Sequence, residues 1–108
     1  MYFSGRLRMT AYNVVRFRVK PGMEEQFIAS QRASLQDDIE GALDGALIKT
    51  VERSYCFIGK WSSFVDIVAA RPQMIGFLDS VRTYLEDFGN GLGVTDPVSG
   101  TAVLEMGK

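Results

Sequence analysis

The fold is decided by residues 11–22, AYNVVRFRVKPG, and by the pattern that follows them. Within residues 11–19 one set of mainly apolar side chains alternates with a second set that contains both arginines, which is the period of two typical of a half-buried β-strand. Pro21 and Gly22 end this strand, because proline cannot donate to a β-ladder and glycine allows a turn. The inner face predicted for the strand carries Ala11, Asn13, Val15, Phe17 and Val19.

The next segments predict a helix and a β-hairpin. Residues 23–40 carry apolar side chains at helical spacing and two glutamates in the first turn, where the helix dipole favours anions. Residues 46–53 and 54–61 are rich in β-branched and aromatic residues and are separated by a polar turn, so they predict two paired strands. The apolar positions of the helix are Phe27, Ile28, Leu35 and Ile39.

A second helix is predicted to begin at Phe64, with Ser62 or Ser63 as its cap. Pro72 lies inside this helix and predicts a bend or a break, because it lacks an N–H and disfavours the helical conformation of the preceding residue. Beyond it the amphipathic stripe runs to residue 88, followed by a glycine-rich loop over 89–100 and a last strand over 98–106. The stripe consists of Met74, Leu78, Val81, Leu85 and Phe88.

The resulting order, β-α-β-β-α-β, is the ferredoxin-like α+β arrangement, in which two helices cover one face of a four-stranded antiparallel sheet. The other face has no cover, and apolar side chains there are expected to be buried against a second copy of the chain. We therefore predict a homodimer built from residues 11–108, with residues 1–10 as an N-terminal extension or with Met9 as the true start. The side chains expected on the open face include Tyr12, Val14, Ile58 and Val103.

The composition excludes several classes of catalyst. The chain has 108 residues, which corresponds to one ordinary domain, and it contains no histidine and a single cysteine. Zinc sites of the Cys/His type, Ser-His-Asp and Cys-His nucleophile systems and disulfide frameworks need residues that one such chain lacks. We expect no metal site.

The net charge of −1 argues against a general binder of nucleic acid, although residues 1–20 hold five basic and no acidic residues. Arg16 and Arg18 alternate with apolar residues, so the charged face of a strand explains them, and binding of nucleic acid through this strand is only a third hypothesis.

The sequence also bears on where the protein acts. It lacks an apolar run of the ~20 residues that a membrane span needs, and residues 1–10 lack the apolar region of a signal peptide. The unpaired Cys56 fits a reducing compartment. We expect a soluble cytoplasmic protein that binds no membrane.

Two segments of the chain carry further information, Val15-x-Phe17-x-Val19-Lys20-Pro21-Gly22-x-Glu24-x-x-Phe27 and Tyr55-x-Phe57-x-Gly59-x-Trp61-x-Ser63. They resemble the antibiotic biosynthesis monooxygenase family of dimeric α+β barrels, and the similarity extends over about residues 11–106. The resemblance implies a cofactor-independent monooxygenase, which deprotonates an electron-rich aromatic or polyketide-like molecule and lets the anion react directly with O₂.

The family pattern usually continues with a histidine in the second helix, where this chain has residues 68–72, VAARP. Relatives that degrade haem use a first-strand asparagine, a third-strand tryptophan and this histidine as the iron ligand. Asn13 and Trp61 are present, but Asn13 lies one residue pair further from Gly22 than in those relatives, where Val15 stands here. The sequence therefore argues against haem degradation, and we expect no cofactor.

A pocket between helices and sheet is predicted, closed by Leu35, Ile39, Met74 and Leu78, with the apolar and aromatic lining that suits flat ligands. Asn13 could hydrogen-bond a developing enolate oxygen, Trp61 could offer its indole N–H or a stacking surface, and Tyr55 is the most plausible group for proton transfer. Structural roles stay open for all three. The predicted substrate-binding residues are Phe17, Gln31, Phe57, Arg71 and Met74, where Arg71 stands near the missing histidine and could hold an anionic group or be a solvated arginine.

Two functions remain open on the sequence alone. One is the monooxygenase that the resemblance implies, and the other is a non-catalytic small-ligand-binding or structural dimer of the same fold. The monooxygenase is the leading hypothesis and the non-catalytic dimer the alternative, although an unperturbed tyrosine is a poor base at neutral pH, which weakens the case for catalysis.

Overall fold

The computed structural model describes residues 9–106, and residues 1–8 of the predicted N-terminal extension lie outside this range. One four-stranded antiparallel sheet has the order β2-β3-β1-β4 and carries both helices on one face. This is the predicted ferredoxin-like α+β arrangement, with the sheet left open. The elements are β1 (Ala11–Arg18), α1 (Glu24–Ser34), β2 (Ala42–Val51), β3 (Ser54–Trp61), α2 (Phe64–Val81), a short 3₁₀-helix (Arg82–Tyr84) and β4 (Asp96–Thr101).

Strand β1 lies at the centre of the sheet because it pairs with both β3 and β4. Its inner face is buried as the alternation predicted, with Ala11 fully buried and Asn13 and Phe17 only 6% and 8% exposed. Asn13 is opposite Gly59 on one side and Ser99 on the other. A buried amide is thus held at the middle of an otherwise apolar face.

The core consists of two clusters on the helix side of the sheet. In the first, the fully buried Phe27 of α1 packs between Phe17 and Tyr55, with ring centroids 5.4 and 5.3 Å apart. In the second, Trp61 packs with Ile67 and other residues of α2. The first cluster also contains Val81, so it attaches both α1 and the end of α2 to the sheet, whereas the second attaches the first half of α2.

Helix α1 is shorter than predicted, and the expected end near residue 40 is wrong. The helix ends at Ser34, and the amides of Gln36 and Asp37 bond to carbonyls three residues back, in tighter turns. Acidic side chains at residues 37, 38 and 40 are unfavourable at a helix C-terminus, which explains the early end. Strand β2 begins correspondingly early, at Ala42 instead of the predicted residue 46.

Helix α2 begins as predicted, with the Ser63 hydroxyl accepting a hydrogen bond from the backbone N–H of Asp66. The break considered at Pro72 does not occur, because the helix is continuous from Phe64 to Val81. The carbonyl that loses its helical partner at Pro72 belongs to Val68, which lies on the exposed side of the helix and is 44% exposed.

The helix does not extend to Phe88, and that prediction is also wrong. After the 3₁₀ turn the chain becomes extended, and Leu85 forms a β-bridge with Val19 and is 2% exposed. The carbonyl of Arg18 accepts from the N–H of Glu86 at 2.7 Å. Backbone pairing with the end of β1 therefore replaces the last helical turns.

The predicted last strand, residues 98–106, is shifted. Strand β4 comprises Asp96–Thr101, so it begins inside the expected loop, and residues 102–106 lie outside it. Leu104 and Met106 are each 91% exposed, and Val103, expected on the open sheet face, is 85% exposed. Once the chain leaves its pairing with β1, these residues lack a strand that could bury them.

The open face carries one apolar row across all four strands. Val14 lies opposite Ile58 and Val98, and Ile58 lies opposite Ala46. Arg16 pairs with Asp96 at 3.5 Å beside this row. Within residues 9–106, no helix has the length and apolar character that crossing a membrane requires.

Candidate functional site

A cavity of about 730 Å³ lies between the helices and the sheet, where the sequence predicted a pocket. This volume lies in the range of small-molecule sites. The four residues expected to close it, Leu35, Ile39, Met74 and Leu78, all line it. On the sheet side the lining includes Asn13, Val15, Phe17, Phe57, Gly59 and Trp61.

The polar centre of the cavity is a hydrogen bond between two of the predicted site residues. Nε1 of Trp61 donates to Oδ1 of Asn13 at 2.7 Å, and the two side chains are only 3% and 6% exposed. The indole N–H is a donor only, so the Asn13 amide must present its oxygen to Trp61. This contact therefore fixes which end of the amide faces which way.

The other end of the Asn13 amide, Nδ2, is left with a weak partner. It points to Sδ of Met74 at 3.8 Å, and a thioether sulfur is a poor acceptor. Both side chains line the cavity. The structure thus places a buried N–H donor next to the space in which a ligand would lie.

Tyr55 is not among the residues that line the cavity. It is 4% exposed, and its hydroxyl donates to Oε2 of Glu24 at 2.5 Å, while Nζ of Lys49 lies 3.0 Å from the same oxygen. Burial, followed by the Glu24 contact, raises the pKa of Tyr55, and the hydrogen bonds from Tyr55 and Lys49 lower the pKa of Glu24. A tyrosine with a raised pKa that is tied to a carboxylate makes an even weaker base at neutral pH.

The predicted substrate-binding residues Phe17, Gln31, Phe57, Arg71 and Met74 all line the cavity. Gln31 is half-buried and Arg71 is exposed. Among the described residues, Arg71 makes no ion pair, although Asp37 and Asp38 line the same cavity. These charged residues belong to its open side.

Sequence reasoning missed the contribution of β4 and of the glycines. Pro97 and Ser99 line the cavity and lie opposite Val15 and Asn13. The sequence places Pro97 in the predicted loop and Ser99 where that loop overlaps the predicted last strand, because a segment with proline and glycine has low strand propensity. The row Gly45, Gly59, Asn13 and Ser99, one residue from each strand, is a product of register, which no local pattern displays.

No cluster of three or more His, Cys, Asp or Glu side chains that could hold a metal ion occurs in the part of the chain that the structure describes.

Comparison of the sequence with protein-family models and with curated proteins finds no match. Comparison of the structure with solved structures finds several that share the fold. A variant of SnoaB, a cofactor-independent oxygenase from Streptomyces nogalater, is 15% identical, with a TM-score of 0.71 over 92% of this chain and 98% of that chain.

Two further structures match at similar levels. A Nitrosomonas europaea protein with the provisional name antibiotic biosynthesis monooxygenase is 14% identical, with a TM-score of 0.70 over 99% of this chain and 100% of that chain. Rv0793 from Mycobacterium tuberculosis is 13% identical, with a TM-score of 0.73 over 91% of this chain and 99% of that chain. At these identities the likeness establishes the fold alone: this chain has the fold of proteins named as antibiotic biosynthesis monooxygenases.

Proposed function

We propose that this protein is a cofactor-independent monooxygenase of the antibiotic biosynthesis type that acts on an aromatic or polyketide-like small molecule. The fold shared with SnoaB, which is named as a cofactor-independent oxygenase, supports the class of reaction. We propose that it acts in the cytoplasm, in keeping with the free thiol of Cys56.

The Asn13 amide is the observation that carries the proposal. Its oxygen is engaged by Trp61 at 2.7 Å, so its Nδ2 is the end available to a ligand, and a ligand oxygen would be a better acceptor than Sδ of Met74. A fixed donor in an apolar cavity stabilises an oxyanion more than a donor in water does, because it needs no reorganisation.

The reaction that such a site promotes needs no external reductant. A methylene carbon next to aromatic rings and conjugated to a carbonyl loses a proton to solvent through the open side of the cavity. The resulting enolate oxygen accepts the hydrogen bond from Asn13, and the carbanion carbon bonds to O₂. The peroxide takes a proton back from solvent, and the second C–H bond and the O–O bond then break, so that one oxygen atom stays on the carbon as a ketone oxygen and the other leaves as water. The carbon supplies all four electrons.

In this proposal each predicted site residue has a distinct role. Asn13 is the catalytic residue, since it touches the reacting oxygen, and Trp61 is a positioning residue that acts through Asn13. Tyr55 enters only by fixing α1 to β3 through Glu24. The side chains proposed to contact the substrate are those of Phe17, Gln31, Phe57, Arg71 and Met74, which all line the cavity.

Oxygen uptake with anthrone as substrate tests the proposal. We expect the wild-type protein, without added cofactor, to consume one O₂ for each anthraquinone formed, at a rate above that of the buffer. Asn13→Ala should lower kcat/KM about 100-fold, the usual effect of losing one oxyanion donor. Tyr12→Phe, on the opposite sheet face, is the matched control. Absence of uptake with anthrones and hydroquinones would refute the enzyme hypothesis.

The ionisable groups favour a second candidate function, a ligand-binding dimer without catalysis. Among the described residues, those lining the cavity are Asp37, Asp38, Asp44 and Arg71, and all four are exposed. No buried base therefore faces the site from this part of the chain. Binding of anthraquinone by equilibrium dialysis, combined with no oxygen uptake, would select this function.

We propose further that two copies associate through the open sheet face. The row Ala46, Ile58, Val14 and Val98 is apolar across four strands, and Val98 is 62% exposed. Burying such a row against its own copy removes apolar area from water.

A further inference from the structure

The cavity floor contains two glycines that face each other across β2 and β3. Gly45 lies opposite Gly59, and Gly59 lies opposite Asn13 on the next strand. Both glycines line the cavity, and neither has a positive φ. Their backbone conformation would therefore admit another residue, so their absent side chains need a different explanation.

At Gly59 the explanation is steric, because a side chain there would clash with its neighbours. A Cβ atom built there would lie 2.4 Å from Oδ1 of Asn13, 3.0 Å from Nε1 of Trp61 and 3.1 Å from Cε2 of Phe57. The first distance is shorter than any real contact, and three residues of the proposed site converge on this one point. Because Gly59 has no side chain, the space that a Cβ atom would fill is left free for the hydrogen bond between Asn13 and Trp61.

At Gly45 the tight contacts involve Phe57 alone, and the backbone oxygen of Ile58 lies at an ordinary 3.5 Å. A Cβ atom there would lie 3.0 Å from Cζ and 3.3 Å from Cε1 of Phe57. The Phe57 ring thus approaches the Cβ positions of both glycines, with Cζ and Cε1 at one and Cε2 at the other. The ring therefore lies over both Gly45 and Gly59, against the sheet, and forms part of the cavity floor.

We propose that Gly59 is a positioning residue of this site, which holds the Asn13 amide and the Phe57 ring in their binding orientations, and that Gly45 assists it at the ring alone. This inference rests on the proposed function, since it assigns roles toward the ligand of the same cavity. A methyl group at residue 59 displaces Oδ1 of Asn13, and Nδ2 then no longer points to the ligand oxygen. A methyl group at residue 45 tilts the ring and leaves the amide in place.

The test compares Gly59→Ala and Gly45→Ala with Gly100→Ala. Gly100 lies in β4, also without a positive φ, and a Cβ atom there meets nothing within 4 Å. Trp61 is the single tryptophan, so its fluorescence reports the hydrogen bond to Asn13 without any assay of activity. We expect a shifted emission maximum for Gly59→Ala and an unchanged one for the other two variants.

Binding of the anthraquinone probe, measured by equilibrium dialysis, gives the second readout. Gly59→Ala should weaken binding about tenfold, in line with the loss of one hydrogen bond, and Gly45→Ala should weaken it less. In the Asn13→Ala background, where Oδ1 is absent, Gly59→Ala should have at most about a twofold effect. The urea midpoint of unfolding should likewise fall less when Gly59→Ala is added to Asn13→Ala than when it is made in the wild-type protein. This comparison of stabilities keeps the test decisive if Gly59→Ala alone folds poorly.

Emission and affinity of Gly59→Ala that match those of Gly100→Ala would overturn the proposal. So would full additivity with Asn13→Ala, because the methyl group would then act on something other than the amide. Failure of the wild-type protein to consume oxygen would refute the proposed enzyme but would leave the Trp61 emission and the coupling to Asn13 as they are. The two failures are therefore distinguishable.

Discussion

Nε1 of Trp61 and Oδ1 of Asn13 are 2.7 Å apart, although the residues are separated by 48 positions in the chain. Asn13 lies on the central strand and Trp61 ends the neighbouring one, two register positions away on the same face. Both strands must pair in this register before the contact can exist. Because Trp61 holds Oδ1 of Asn13, Nδ2 is directed to the cavity as a donor, and the proposed binding of a ligand oxygen depends on that orientation.

The first prediction concerns Asn13→Asp. A carboxylate can still accept the hydrogen bond from Trp61, but it replaces the donor Nδ2 by a second acceptor that repels an enolate oxygen. We expect retained folding by circular dichroism and a loss of kcat/KM with anthrone of at least about 100-fold. Activity equal to that of the wild-type protein would show that the donor has no part in the reaction.

Trp61→Phe should destabilise the protein by leaving Oδ1 of Asn13 buried without its donor. An unsatisfied buried acceptor costs about 1–3 kcal/mol, which urea unfolding can resolve. Val65→Ala, at a residue that is 73% exposed, serves as the control and should change the free energy of unfolding by less than about 0.5 kcal/mol. Equal stability of the two variants would contradict the importance of the contact.

Phe27→Ala should be among the most damaging substitutions in the chain. Its ring is fully buried between Phe17 and Tyr55, and removal of a buried phenylalanine costs about 3–5 kcal/mol. The urea midpoint should fall accordingly. A loss below about 1 kcal/mol would mean that α1 is not held to the sheet by this cluster.

Glu24 makes a pH-dependent contribution to stability. Tyr55 and Lys49 lower its pKa in the folded protein, so its stabilising effect is complete above the unfolded pKa of about 4.3 and is lost as the pH falls through the lower, folded pKa. In Glu24→Gln the decline of the free energy of unfolding over this acidic range should be shallower. Superimposable pH profiles of the two proteins would contradict the assignment.

The open sheet face predicts the oligomeric state. Light scattering should give a mass of about twice the 12.0 kDa of the chain, and Val14→Lys, which places a charge in the centre of the apolar row, should reduce it to one chain. Val65→Lys, on the outer side of α2, should leave the mass unchanged. A wild-type mass near 12.0 kDa would refute the dimer.

The sequence predicted the elements whose signals are local. Strand β3 has the predicted bounds, Ser54–Trp61, because alternation, a turn before it and a helix cap after it all agree. Strand β4 was misplaced because Asp96–Thr101 contains proline and glycine, and pairing with β1 overrides that low propensity. Leu85 fitted the helical spacing equally well, and only its bridge to Val19 shows that it is extended.

The sequence predicted which strand faces line the candidate site, but not the side-chain contacts within and beside it. Alternation placed Asn13, Phe57 and Trp61 on the cavity side, and the structure agrees. The partner of Tyr55 is 31 residues away on α1, and no local pattern could indicate that its hydroxyl is engaged there. The role of Gly59 depends in the same way on the register of β1 and β3.

The central claim is that Asn13 Nδ2 holds an oxygen of the ligand in this cavity. A crystal structure of the anthraquinone complex tests it most directly. We predict a ligand carbonyl oxygen within about 3.2 Å of Nδ2, with the planar rings against Phe57 and the Trp61 hydrogen bond intact. An empty cavity at saturating anthraquinone, or a ligand whose oxygens point away from Asn13, would contradict the claim.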